Sequence, residues 1–105
     1  MKPLATLRAL LAAGQVEFTQ HALKRVVERN IANAEIREAG ARAVIIEVYP
    51  SDKYGPGCLL LGITIANRPL HIQAARQTGP RTKIITLYEP DPTEWVNLVE
   101  WRKSP

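Results

Sequence analysis

Leucine residues recur at helical spacing in the first segment of the chain. Between Pro3 and Gly14 they occupy positions 4, 7, 10 and 11, so that each has another leucine three or four positions away. Proline suits the first turn of a helix and glycine suits its end. The pattern therefore predicts an amphipathic helix over about residues 3–13.

Two further helices are predicted before residue 42. Apolar residues gather on one side of the segment 20–29 and charged residues on the other, which is typical of a half-buried helix. Thr19 precedes this segment and suits its N-cap. A third helix is expected from Asn33 to Gly40, where glycine suits the C-terminal end.

From residue 42 onward, β-branched residues replace the helical pattern. Proline, glycine, serine and aspartate cluster over residues 50–57, which predicts a loop. After the last strand, a short closing helix is expected over residues 93–102. Helices followed by hairpin-linked strands indicate an α+β fold, with the N-terminal helices packed on a four-stranded antiparallel β-meander. The four predicted strands cover about residues 43–49, 58–66, 70–75 and 82–88.

Alternation along the strands sorts the predicted sheet into two faces. One face is aliphatic and is expected to form the core. The other is rich in hydroxyl, aromatic and imidazole groups, which can donate, accept and stack. A solvated sheet face also explains polar residues, so both interpretations stay open. The predicted polar face carries Glu47, Tyr49, Thr64, His71, Gln73, Thr86 and Tyr88, with Ile45 and Ile84 among them.

A row of basic residues lies along the second predicted helix. His21, Arg25 and Arg29 are four positions apart and so share one side. Guanidinium groups match phosphate oxygens in a bidentate manner, so this row could hold a phosphate. The alternative is a solvated helix face that Glu28 partly neutralises.

Composition narrows the class of protein. The 105 residues fit one domain, and the net charge of +4 with a pI of about 9.6 favours an anionic partner. The single cysteine, Cys58, suits a reducing compartment and is expected to be a buried hydrophobic residue. No apolar run is long enough to span a membrane. Together with the single cysteine, this gives a cytoplasmic location as the expectation. No zinc spacing, P-loop or dinucleotide fingerprint is present, so neither a metal nor a cofactor is expected.

The chemistry that fits both polar elements is RNA cleavage by attack of the 2′-hydroxyl on its own phosphate. A histidine serves as acid or base near neutral pH, and arginine stabilises the charge that grows on the phosphate. Tyrosine stacks on a base or donates a proton.

An ordered set of motifs resembles the domain-of-unknown-function family 4258. The similarity covers about residues 16–95. The motifs are Phe18-Thr19-Gln20-His21-Ala22 with Arg25 and Arg29-Asn30-Ile31, Ile46-Glu47-Val48-Tyr49-Pro50, Pro56-Gly57-Cys58-Leu59-Leu60-Leu61-Gly62, Pro69-Leu70-His71-Ile72, and Ile84-Ile85-Thr86-Leu87-Tyr88-Glu89-Pro90-Asp91 followed by Trp95.

The resemblance implies a fold similar to the RelE and barnase-like RNase toxins, with RNA as substrate and an antitoxin as partner. His21 and His71 would share acid and base work. Such toxins are usually more basic than this chain, so a non-catalytic RNA- or protein-binding module of the same fold is the alternative, and a structural protein is a third hypothesis. We expect catalytic roles for His21, Arg25, His71 and Tyr88, and RNA contacts from Arg29, Tyr49, Lys53 and Thr86.

Overall fold

A computed structural model describes residues 1–101, with Trp101 described by its backbone alone. In this part of the chain, three helices accompany a five-stranded sheet and a small hairpin, so the α+β class is confirmed. The helices are α1 (Leu4–Ala12), α2 (Gln20–Glu28) and α3 (Asn33–Ala41). The strands are β1 (Val16–Phe18), β2 (Val44–Asp52), β3 (Gly55–Ile63), β4 (Pro69–Ala75), β5 (Thr82–Tyr88), β6 (Trp95–Val96) and β7 (Glu100–Trp101).

The sheet is mixed, with the strand order β1-β5-β4-β3-β2. Consecutive strands from β2 to β5 pair antiparallel, whereas β1 pairs parallel with β5, with Val16 opposite Thr82. The prediction of four strands was therefore one strand short. Because β1 has three residues and its partner is distant in sequence, periodicity gives no sign of it.

The three predicted helices form within one or two residues of their expected ends. Thr19 is confirmed as the N-cap of α2, since its hydroxyl accepts a hydrogen bond from the backbone N–H of Ala22 at 3.0 Å. At α3, Glu35 accepts a bond from the backbone N–H of Ala32 at 2.9 Å. No helix within residues 1–101 has the length and apolar content needed to span a membrane.

The core lies between one face of the sheet and the layer of α1 and α3. Gly62 allows α3 to approach β3, because a methyl group there would overlap the carbonyl oxygen of Ala39. Cys58 is buried, as predicted, and its burial raises the pKa of the thiol. The fully buried large side chains of the core include Leu7, Leu11, Leu60, Leu70, Ile72, Ile84 and Leu87.

The predicted division of the sheet faces was wrong for β3. Leu60 lies opposite Ile45 and Ile72 on the core side, whereas Leu59 lies opposite Glu47 and Gln73. An uninterrupted apolar run contains no alternation from which its phase can be inferred. Register shifts in β2 and β5 add to the error, because each displaces the alternation by one residue.

Two other local predictions were wrong. The expected loop over residues 50–57 is mostly strand, since β2 continues to Asp52 and pairs with Gly55 across a two-residue turn. Pro50 is tolerated there because β2 is an edge strand.

The predicted closing helix is instead a hairpin. Asp91 accepts bonds from both the backbone N–H and the hydroxyl of Thr93 at 2.8 Å, so Thr93 does not cap a helix. The chain then turns through Asn97 and Leu98, both with positive φ, which separates β6 from β7. Residue 102 of the expected helix lies outside the described residues.

Candidate functional site

The helix α2 lies beside β5, at the edge of the sheet where β1 ends. The backbone N–H of Thr19 donates to the carbonyl of Ile84 at 3.1 Å. Its hydroxyl donates to the carbonyl of Ile85 at 2.7 Å while capping α2. Thr19 thus attaches the N-terminal end of the helix to the middle of β5.

This attachment brings the basic row of α2 against the polar side chains of β5. The two elements enclose a cleft of about 410 Å³. The exposed His21 and Arg29 and the half-buried Arg25 line it from the helix. Thr86 and Tyr88 line it from the strand, so five of the eight predicted site residues meet here. The remaining lining residues are Glu89, Asp91, Glu94 and Trp95.

The two arginines of the cleft are available to a ligand. Neither the Arg25 nor the Arg29 side chain forms an ion pair or hydrogen bond with another residue of the described chain. The carboxylates that face them differ in this respect. Glu89 is paired with Arg68 at 2.7 Å, and Asp91 is bonded to Thr93, which lowers its pKa.

Glu94 is the carboxylate of the cleft without an ion-pair or hydrogen-bond partner among residues 1–101. Its charge contributes to raising the pKa of Tyr88. Over the same residues, no group of three or more His, Cys, Asp or Glu side chains is arranged to hold a metal ion.

Arg68 fixes the C-terminal end of α2, a role that the sequence did not reveal. Its guanidinium donates to the carbonyl of Arg29 at 2.9 Å and to that of Asn30 at 3.1 Å. It also pairs with Glu35 of α3 at 3.0 Å and with Glu89 after β5 at 2.7 Å. These carboxylate contacts raise the pKa of Arg68. A positive group is favourable at the C-terminus of a helix.

His71 is buried outside the cleft. Because a carbonyl only accepts, its Nε2 donates to the Leu98 carbonyl at 2.5 Å, and its Nδ1 accepts from the Tyr88 hydroxyl at 3.3 Å. The Trp95 ring stands perpendicular to it, with centroids 4.4 Å apart. Burial lowers the pKa of His71 and favours the neutral ring. No part of His71 is exposed, which does not fit the prediction that it shares acid and base work with His21.

Tyr88 joins the cleft to the buried histidine. Tyr88 lines the cleft, and its hydroxyl donates to His71. Burial, followed by the charges of Glu47 and Glu94, raises the pKa of Tyr88 to about 12. The phenol therefore keeps its proton at neutral pH.

Tyr49 and Lys53 lie away from the α2–β5 cleft. The Tyr49 hydroxyl, on the edge strand β2, donates to the Glu47 carboxylate at 2.5 Å, and burial together with this contact raises its pKa. Lys53 stands at the β2–β3 turn, with its ammonium 5.5 Å from the centroid of the Tyr54 ring. The eight predicted site residues thus lie in four separate places: five line the α2–β5 cleft, and His71, Tyr49 and Lys53 each lie elsewhere.

The sequence profile of the family DUF4258, described as a domain of unknown function, matches residues 18–89. This is more than half of the chain. The chain belongs to the DUF4258 family. The DUF4258 match includes α2, α3 and strands β2 to β5, and so contains Arg68 and the five predicted residues of the α2–β5 cleft. It excludes α1 and the hairpin that covers His71. No protein of curated function and no solved structure matches the chain.

Proposed function

We propose that this DUF4258 protein is a metal-independent endoribonuclease and that the α2–β5 cleft is its active site. The observation that carries the proposal is the meeting of His21, Arg25 and Arg29 with Tyr88 in one cleft. Guanidinium groups suit a phosphate, and an imidazole suits proton transfer near neutral pH. A tyrosine ring suits a stacked base, so the cleft offers what a nucleotide requires.

The reaction is attack of a 2′-hydroxyl on the adjacent 3′-phosphate. A base removes the 2′-hydroxyl proton as the new O–P bond forms. The bond between phosphorus and the 5′-oxygen then breaks, and that oxygen takes a proton from an acid. The products carry a 2′,3′-cyclic phosphate and a 5′-hydroxyl. Arg25 and Arg29 stabilise the charge of the pentavalent phosphorus.

The acid and the base are assigned to accessible groups of the cleft. Glu94 is the base in this proposal, because its carboxylate has no partner among the described residues. His21 is the acid that protonates the leaving 5′-oxygen. His71 acts only through the Tyr88 hydroxyl that it holds, which makes it a positioning residue.

The test is incubation of the purified protein with RNA in EDTA, which inactivates contaminating metal-dependent nucleases. We expect cleavage by the wild type and loss of cleavage, by about 10²-fold or more, in His21→Ala and in Arg25→Ala. Lys24→Ala is the matched control, since Lys24 is an exposed cation of α2 that does not line the cleft. Equal cleavage by the wild type and both cleft variants would exclude this active site.

A non-catalytic RNA-binding module is the second candidate. The burial of His71 favours it, because one histidine remains accessible where two were expected. In this case, RNA binds the wild type with strong salt dependence and no cyclic phosphate forms. Arg25→Ala weakens binding, whereas His21→Ala has little effect.

The toxin–antitoxin assignment and the RelE or barnase-like fold are part of the same proposal. Family membership and the α+β fold support it only coarsely. A cytoplasmic site of action and an antitoxin partner follow from it. Induced expression in bacteria should stop growth for the wild type and not for His21→Ala. Normal growth with abundant wild-type protein would exclude a toxin of this type.

A further inference from the structure

A second cleft of about 380 Å³ lies at the other end of β5. It is bounded by the β2–β3 turn and the connection between β4 and β5. Lys53 and Tyr54 contribute from the turn, Arg81 from the connection, and Lys83 from the start of β5. The cleft therefore gathers three cations and an aromatic ring from parts of the chain about thirty residues apart.

The cations that line this second cleft outnumber its carboxylates. Lys53 and Lys83 place their ammonium groups 5.5 and 5.2 Å from the centroid of the same Tyr54 ring. None of the three cations forms an ion pair with residues 1–101, although Glu17 lines the cleft opposite Lys83. Two like charges held at one ring repel each other, and an anion between them removes that repulsion.

The second cleft and the α2–β5 cleft lie along the same strand, β5. Lys83 is at the start of β5, and Thr86 and Tyr88 are near its end. At about 3.3 Å per residue, Lys83 and Tyr88 are roughly 17 Å apart along the strand. OB folds, which are of similar size, bind about 4–16 nucleotides of a single strand, and a strand of that length can reach both clefts.

We infer that the second cleft is an additional subsite for single-stranded RNA, holding phosphates of the strand that occupies the α2–β5 cleft. Lys53, Arg81 and Lys83 contact the phosphodiester backbone. The subsite gives affinity for longer strands and takes no part in bond breaking. This inference rests on the proposed function, because it assumes RNA in the α2–β5 cleft.

The experiment compares binding of a 3-nucleotide and a 12-nucleotide RNA, both 2′-O-methylated so that they cannot be cleaved. Fluorescence anisotropy in EDTA gives both affinities. The variant Lys53→Ala/Lys83→Ala should weaken binding of the long strand about 2- to 30-fold, the range for two charge contacts at a protein surface. For this variant, the slope of log K against log salt concentration should become shallower by about 1.4, because each lost phosphate contact accounts for about 0.7. The short strand should bind as it does to the wild type.

Two further variants separate a subsite from a general effect of charge. Arg37→Ala/Arg42→Ala removes the same charge from exposed positions at α3, on the other side of the sheet, and should leave both affinities unchanged. Glu17→Gln should strengthen binding of the long strand, because it removes the carboxylate from the second cleft. A misfolded protein would lose affinity, so a gain of affinity by Glu17→Gln cannot result from misfolding of that variant.

Two results would overturn the inference. One is unchanged long-strand binding by Lys53→Ala/Lys83→Ala, and the other is an equal loss in the α3 control. In both cases the proposed function survives if Arg25→Ala still weakens binding of both strands. If the wild type binds neither strand, the inference and the proposed function fail together.

Discussion

Arg68 provides the sharpest test of how the α2–β5 cleft is held together. Replacing it with methionine keeps much of the apolar stem and removes the guanidinium. The variant loses two bonds to the end of α2 and two ion pairs, to Glu35 and Glu89. Because these contacts link α2 to α3 and to the segment after β5, their loss should destabilise the fold and loosen one wall of the cleft.

The magnitude follows from the exposure of the groups involved. The Arg68 and Glu35 side chains are each 25% exposed and Glu89 is 51% exposed, so each ion pair contributes about 0.2–1 kcal/mol. The two bonds to carbonyls contribute about 1 kcal/mol each at most, since water replaces the lost donor at the exposed residues 29 and 30. We expect the free energy of unfolding to fall by about 2 kcal/mol. For a domain of this size, this corresponds to roughly 8–16 °C in Tm.

Urea unfolding measures this change, provided that the slope of the free energy of unfolding against urea concentration is the same for the variant and the wild type. Arg42→Met is the control, because Arg42 is an exposed cation with no ion pair to a described residue. It should change the free energy by less than about 0.5 kcal/mol. Arg68→Lys keeps the charge without the forked geometry and should fall between the two. If Arg68→Met loses no more stability than the control, Arg68 does not stabilise the position of α2.

Three other substitutions test separate features. Gly62→Ala should destabilise the fold by about 3 kcal/mol or more, because the added methyl group meets the backbone of Ala39; near-wild-type urea unfolding would contradict this packing. Thr82→Val should be neutral or stabilise the fold by up to about 1 kcal/mol, since its buried hydroxyl has no partner among the described residues; a clear loss of Tm would indicate that the hydroxyl is bonded. Burial lowers the pKa of His71, so the unfolded chain takes up this proton first. The free energy of unfolding should therefore fall as pH drops below about 6.5. His71→Gln should flatten the profile between pH 7.5 and 5.5, and an unchanged slope would exclude His71 as its source.

The sequence was a good guide where a side-chain pattern is local. Helical periodicity and the Thr19 cap placed all three helices, and β5 lies over the residues expected for it. The row His21–Arg25–Arg29 was recognised for the same reason, since a helix fixes which residues share a side.

Features that depend on distant partners could not be inferred in this way. The phase of β3 is set by pairing with its neighbours, because the run around Leu60 is apolar throughout. The burial of His71 results from the hairpin that brings Leu98 and Trp95 over it. The role of Arg68 depends on partners more than twenty residues away on either side. Each of these features depends on contacts between segments that are distant in the sequence.

The position of α2 explains why its polar contacts matter for the cleft. Of its apolar residues, Ala22 is buried and Val26 packs against the core, but Leu23 is 51% and Val27 is 81% exposed. Burial alone therefore holds this helix weakly, at about 25 cal/mol per Å² of apolar surface. Thr19 at one end and Arg68 at the other supply directional bonds that a small apolar contact cannot. Thr19 and Arg68 lie at opposite ends of the row from His21 to Arg29. Loss of either residue's contacts should therefore shift one end of the row while the other end stays in place.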